Sequence, residues 1–205
     1  APFAARPAWS PDGQHLVYAE QPGPDEPWRI HQASATALEP VPHPGSTILG
    51  QMPTWLAAGR LAYRACPASL CGLYTVGTDG QPPVRQSTGD GDTAPVAAPH
   101  RDALAFMSDR AGSWDIYLID WQQHGGTTRL TDDAAVEGLP AWSPDGLWLA
   151  YVSDRGGAWA VWIMRPDGSE QHRLFSVGGP LEGQVASISP HGQLGWTWET
   201  LAWGP

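Results

Sequence analysis

Three carboxylates recur at one place in a repeating sequence, and they are the residues best placed to do chemistry. Asp92 and Glu137 each lie six residues before a recurring anchor position, and Glu182 falls into the same register if its copy carries one extra residue. Carboxylates from successive copies that face one channel mouth form a site for a cation or for a basic group of a partner, because hard cations take oxygen ligands. Asp90, Asp132 and Asp133 stand in the same connecting segments and add to that field. The first two copies carry Ala4 and Gly50 at this place, so a ring of acids is incomplete. The competing reading is that each acid caps nearby backbone amides or faces solvent. Gly89-Asp90-Gly91-Asp92 matches part of a calcium loop but lacks the later glutamate at the right spacing.

Other reactive constellations are missing. No Gly-x-Ser-x-Gly elbow, Gly-rich phosphate loop or His-Glu-x-x-His occurs, and the seven histidines show no metal-ligand spacing. His100 and His191 occupy turn positions. The expectation is a protein without catalytic activity and without a resident cofactor, a cation at the channel mouth being the one ligand the acids would suit.

The elements that position these acids are announced by a phrase that occurs twice, Ala8-Trp9-Ser10-Pro11-Asp12-Gly13 and Ala141-Trp142-Ser143-Pro144-Asp145-Gly146. Anchored on its serine, equivalent positions are Ser10, Leu56, Ala98, Ser143 and Ser189, spaced by 46, 42, 45 and 46 residues. A leucine follows each anchor by five or six residues, and an aromatic stands two further on: Leu16/Tyr18, Leu61/Tyr63, Leu104/Phe106, Leu149/Tyr151 and Leu194/Trp196. The fourth copy reads as four strands, Leu139 to Ser143, Leu147 to Ser153, Trp159 to Met164 and Arg173 to Phe175. Pro-Asp-Gly and Asp-Arg-Gly-Gly turns join the first three. A four-stranded sheet cannot bury both faces alone, so copies must stack, and arranged about an axis they make a β-propeller.

The predicted fold is therefore all-β, a propeller of five blades with up to four antiparallel strands each. The repeats run over about residues 6–52, 53–94, 95–139, 140–184 and a partial 185–205 in a single domain. The last blade supplies only Val185 to Ser189 and Leu194 to Glu199, so its outer part is missing. That incomplete edge carries Trp196, Trp198 and Trp203, which suits a partner. The other tryptophans, including Trp9, Trp55, Trp142, Trp114, Trp159 and Trp162, read as packing between blades, with a sugar-stacking surface as the alternative. Asp109-Arg110 and Asp154-Arg155 read as structural: Asp satisfies turn amides and Arg stacks on strand aromatics.

The string Trp-Ser-Pro-Asp-Gly, Leu-Ala-Tyr, Ser-Asp-Arg-Gly-Gly, Trp-Ile-Met, Asp-Gly-Ser, Arg-Leu in the fourth copy resembles the repeat of TolB-type propellers. That repeat also occurs in propeller domains attached to prolyl-oligopeptidase-like peptidases. The resemblance covers about residues 6–199 and implies fold more than function. Copies of that repeat often have an acid where Asp92 and Glu137 stand. A peptidase of the related family needs a hydrolase domain that these residues do not provide.

Composition narrows the partners. The chain has 205 residues, a net charge of −10 and no apolar run of 18 residues. Nucleic acid and anionic lipid need clustered Lys and Arg, which are absent. No segment reads as a membrane span. Cys66 and Cys71 close a six-residue loop that suits a disulfide, and a disulfide implies an oxidising, extracytoplasmic compartment, periplasmic, secreted or surface-exposed. The reading favoured is a non-catalytic scaffold or protein-binding subunit of the cell envelope or exterior, alone or as part of a larger assembly. The alternative is a channel-mouth module for a cation or glycan, or a propeller-type enzyme.

Overall fold

The computed structural model describes residues 3–36, 40–41, 48–123, 125–178 and 200–203. Seventeen strands form four antiparallel sheets in chain order. The first sheet contains β1 (Phe3–Trp9), β2 (His15–Gln21), β3 (Arg29–Ser34), β4 (Pro40–Val41) and β5 (Ile48–Leu49). Its outer edge is in two pieces, because β4 pairs with one end of β3 and β5 with the other. The second sheet is β6 (Gln51–Trp55), β7 (Leu61–Ala65), β8 (Gly72–Val76) and β9 (Val84–Arg85). The third is β10 (Thr93–Ala97), β11 (Ala103–Ser108), β12 (Asp115–Asp120) and β13 (Thr127–Arg129). The fourth is β14 (Glu137–Trp142), β15 (Leu149–Ser153), β16 (Ala160–Met164) and β17 (His172–Ser176).

These sheets are the expected blades, with small corrections at their edges. Strand β14 begins at Glu137 rather than Leu139, so the acid is inside the ladder, opposite Ser153. The outer strand of the third blade ends at Arg129, and Thr131 instead uses its hydroxyl to accept the Ile116 N–H at 2.9 Å. The expected fifth blade, Val185 to Ser189 and Leu194 to Glu199, lies outside the described residues.

The recurring phrase folds identically in its two copies. Ser10 donates to Asp12 Oδ1 at 2.5 Å, and the same oxygen accepts the Gln14 N–H at 3.0 Å. Ser143, Asp145 and the Leu147 N–H repeat this at 2.5 and 3.0 Å. Gly13 and Gly146 take φ of 68° and 71°, the left-handed geometry that the turn needs.

Each innermost strand is also bulged at the same place. The register shifts between Ala5 and Ala8, Gln51 and Thr54, Thr93 and Val96, and Gly138 and Ala141. Four residues before each anchor the backbone turns left-handed, at Arg6 (52°), Met52 (54°), Ala94 (49°) and Leu139 (54°). A proline follows in every case: Pro7, Pro53, Pro95 and Pro140. Proline has no N–H for the ladder, so inside a strand it is at home at a bulge or on an edge, and these positions are both.

The core lies in the seams between blades. The Leu/aromatic face of each blade packs on the preceding one. Leu61 and Tyr63 meet Val17, Ile30 and Ile48, and Leu104 and Phe106 meet Leu56, Ala62 and Leu73. Leu149 and Tyr151 join Ala105, Met107 and Ile116. Polar links cross the same seams: Trp142 Nε1 donates to Val96 O at 3.1 Å, and Arg60 bridges to Asp102 while lying over the Trp121 ring.

Candidate functional site

Asp92 and Glu137 are both fully buried, and each is held inside its own blade by an arginine. Twelve residues after the anchor, the turn beyond the second strand sends Arg110 back across the sheet. One terminal nitrogen of Arg110 donates to both oxygens of Asp92, at 2.6 and 2.5 Å. In the fourth blade Arg155 reaches one oxygen only, donating to Glu137 Oε1 at 2.6 Å while Ser153 donates to that oxygen at 3.1 Å. Burial pushes the Glu137 carboxyl above its usual range, against the downward pull of Arg155.

The arginines lie on aromatic rings as they reach the acids. Arg110 is 4.9 Å from the Tyr117 ring centre and 5.6 Å from that of Phe106, and Arg155 is 4.7 Å from that of Trp162. Asp154 accepts the Val136 N–H at 2.8 Å, so the Asp-Arg turn satisfies a backbone amide as well. Both halves of the structural reading are present at Asp154-Arg155, and the arginine half at Asp109-Arg110.

The remaining expected acids stand around this arrangement. Asp90 is exposed, and its carbonyl accepts from Arg64, which also donates to the Asp92 carbonyl at 3.1 Å. Asp132 is exposed. Asp133 pairs with Arg155 and accepts the Ala135 N–H at 2.8 Å. Among the described residues no three His, Cys, Asp or Glu side chains cluster as a metal site would require. Glu182, Trp196 and Trp198 lie outside the described residues. Trp203 is half-buried and packs with Leu201 against the core shared by the third and fourth blades.

Where the acid is missing, the arginine is missing too. The first blade has Ala4 with Pro22 at the arginine's place, and the second has Gly50 with Pro67 in a turn one residue shorter. A Cβ on Gly50 would come within 2.4 Å of the Tyr63 ring, so the ring occupies the acid's space. In that blade the turn is closed instead by a disulfide between Cys66 and Cys71. This pairing of positions is the signal that sequence reading passed over: in the four described blades the acid six before the anchor and the arginine twelve after it come and go together.

Among the described residues the seam face of the first blade is more exposed than its counterparts. Trp9 is 60% exposed, whereas its counterparts Trp55 and Trp142 are 8% and 9% exposed. Leu16 and Tyr18 are half-buried, while Leu61, Leu104, Leu149 and the aromatics Tyr63, Phe106 and Tyr151 are buried. Two clefts open at the turn ends between blades. One of about 390 Å³ is lined by Asp12, His15 and Trp55, and one of about 770 Å³ by Arg101, Asp120, Arg165 and Glu170.

The model of the TolB β-propeller domain matches residues 46–195, and the chain belongs to that family. TolB from Acinetobacter baumannii has a similar structure, with a TM-score of 0.72 and 22% identity over 85% of this chain and 44% of that one. A protein assigned as TolB from Agrobacterium tumefaciens gives a TM-score of 0.68 and 22% identity over 85% of this chain and 62% of that one. Dipeptidyl peptidase 4 from Porphyromonas gingivalis also shares the fold, with a TM-score of 0.63 and 14% identity over 85% of this chain and 26% of that one. The chain thus spans 44% and 62% of the two TolB chains. No curated protein matches.

Proposed function

We propose that this chain is a non-catalytic propeller acting outside the cytoplasm, where it binds a protein partner or serves as a subunit of a larger assembly. The observation that carries this is the complete burial of Asp92 and Glu137, the two described acids of the repeat. The disulfide supports an oxidising compartment. The engagement of Asp92 and Glu137 by arginine supports a structural role for these acids over a ligand-binding one.

The test is site-specific photocrosslinking in the cells that make the protein. Crosslinkers placed in turn at the exposed Val84, Leu147 and Phe175 should trap one discrete protein partner from one position well above the others. Equal or absent crosslinking at all three positions would sink the reading.

A further inference from the structure

We infer that the Cys66–Cys71 bridge is a reducible switch, opened by a dithiol and coupled through Tyr74 to the seam between the first and second blades.

The bridged loop is open to attack and strained. Cys66, Pro67, Ala68, Ser69 and Leu70 are all exposed, whereas β7 and β8 on either side of the loop are buried throughout. Ala68 and Ser69 both take left-handed backbone, with φ of 48° and 67°. Each carries a Cβ, so that conformation costs free energy at both residues. Among the described residues no other two consecutive non-glycine positions share it. The bridge constrains both from the cysteines that flank them. Exposed or strained disulfides are the labile ones in proteins, and closing so short a loop lends the bridge only modest protection.

The loop's carbonyls carry a change at the bridge inwards. Leu70 O accepts the Tyr74 hydroxyl at 2.7 Å, and Cys71 O accepts from Arg85 of β9. Tyr74 is buried, stacks on Tyr63 with ring centres 6.1 Å apart, and shares a core with Val17, Ile30 and Ile48 of the first blade. An opened loop withdraws both carbonyls and leaves the Tyr74 hydroxyl without its acceptor, which loosens the ring in the seam.

The chemistry is thiol–disulfide exchange. A thiolate of the dithiol attacks Cys66 Sγ, at the exposed end of the bridge, and Cys71 Sγ leaves with the electron pair of the S–S bond and takes up a proton. The dithiol's second thiolate then displaces Cys66 Sγ, which is protonated in turn. The dithiol ends as a disulfide and the protein as two thiols. A Cys-x-x-Cys oxidoreductase is the class of reductant that supplies such a pair.

The experiment equilibrates the folded chain with dithiothreitol in the absence of denaturant, traps thiols by alkylation and weighs the product, while NMR follows the Tyr63 and Tyr74 rings. The bridge should open at millimolar dithiothreitol with the sheets intact by circular dichroism, and both rings should shift. Cys66→Ser with Cys71→Ser should place the rings where reduction places them. Ala68→Gly with Ser69→Gly should make the bridge about fivefold harder to open, because glycine takes left-handed backbone without strain, even after the freedom it adds to the open loop. Tyr74→Phe, which removes a hydrogen bond from the closed loop, should make it about threefold easier to open. A bridge that resists dithiothreitol until the chain unfolds, or an unchanged equilibrium in the glycine variant, would overturn the switch. Opening that leaves both rings unmoved, or that ignores Tyr74→Phe, would overturn its coupling to the seam.

Discussion

A single terminal nitrogen of Arg110 serves both oxygens of Asp92, so the turn beyond the second strand is locked to the start of the first. Asp92 is fully buried, and removing one member of such a pair strands the other's charge. Arg110→Ala should therefore destabilise the protein by about 3 kcal/mol, measured by urea unfolding. Replacing both, as Asp92→Ala with Arg110→Ala, should cost clearly less than the two single changes added together. An additive double mutant would mean that the pair is not coupled.

Glu137 and Asp145 should respond to pH in opposite directions. Burial raises the Glu137 carboxyl, so the folded protein takes up this proton before the unfolded chain does. Its contribution should improve as pH falls from neutral through the raised folded value, and level off below the ordinary glutamate value. Asp145 is lowered by the Ser143 hydroxyl and the Leu147 N–H. Its stabilisation should be complete above the ordinary aspartate value and fade as pH falls through the depressed folded one. Comparing wild type with Glu137→Gln and Asp145→Asn across acid pH checks both signs.

The left-handed residue in each inner strand makes its own prediction. Ala94 has φ of 49° and its Cβ adds little, so Ala94→Gly should be neutral to within about 0.5 kcal/mol, the relieved backbone offsetting the glycine's entropy. Ala105→Gly, in regular strand, should cost about 1 kcal/mol. Leu139→Gly removes a buried leucine and should cost about 3 kcal/mol despite the same backbone relief. Chemical denaturation of the three variants checks the ordering.

Cys66→Ser with Cys71→Ser should cost about 2 kcal/mol from the closed six-residue loop. Because this bridge stands where other blades use an acid and an arginine, the loss should be felt first in the second blade. Hydrogen exchange should show faster amides in residues 61–76 and little change in the fourth sheet.

Much of the fold was legible because turns obey local rules. Ser10-Pro11-Asp12-Gly13 specifies its own hydrogen bonds, so the phrase locates the first two strands of a blade wherever it occurs. The bulge was equally legible, through the proline three residues before each described anchor, but only once a proline inside a strand is treated as a constraint. The roles of Asp92 and Glu137 were not, because an acid looks the same whether it faces a channel or an arginine eighteen residues on. The exposed face of the first blade was least legible of all. Leu16 and Tyr18 are chemically the residues that Leu149 and Tyr151 are, and only their neighbours differ.

The Xaa-Pro bulges of the inner strands have a further consequence for solubility. An innermost strand is a sheet edge, and an unpaired edge invites another chain to extend the ladder. Pro7, Pro53, Pro95 and Pro140 each delete a donor from that edge, and the left-handed residue before each one bends the strand out of line. The four described sheets thereby present inner edges that resist templating the growth of a fibril.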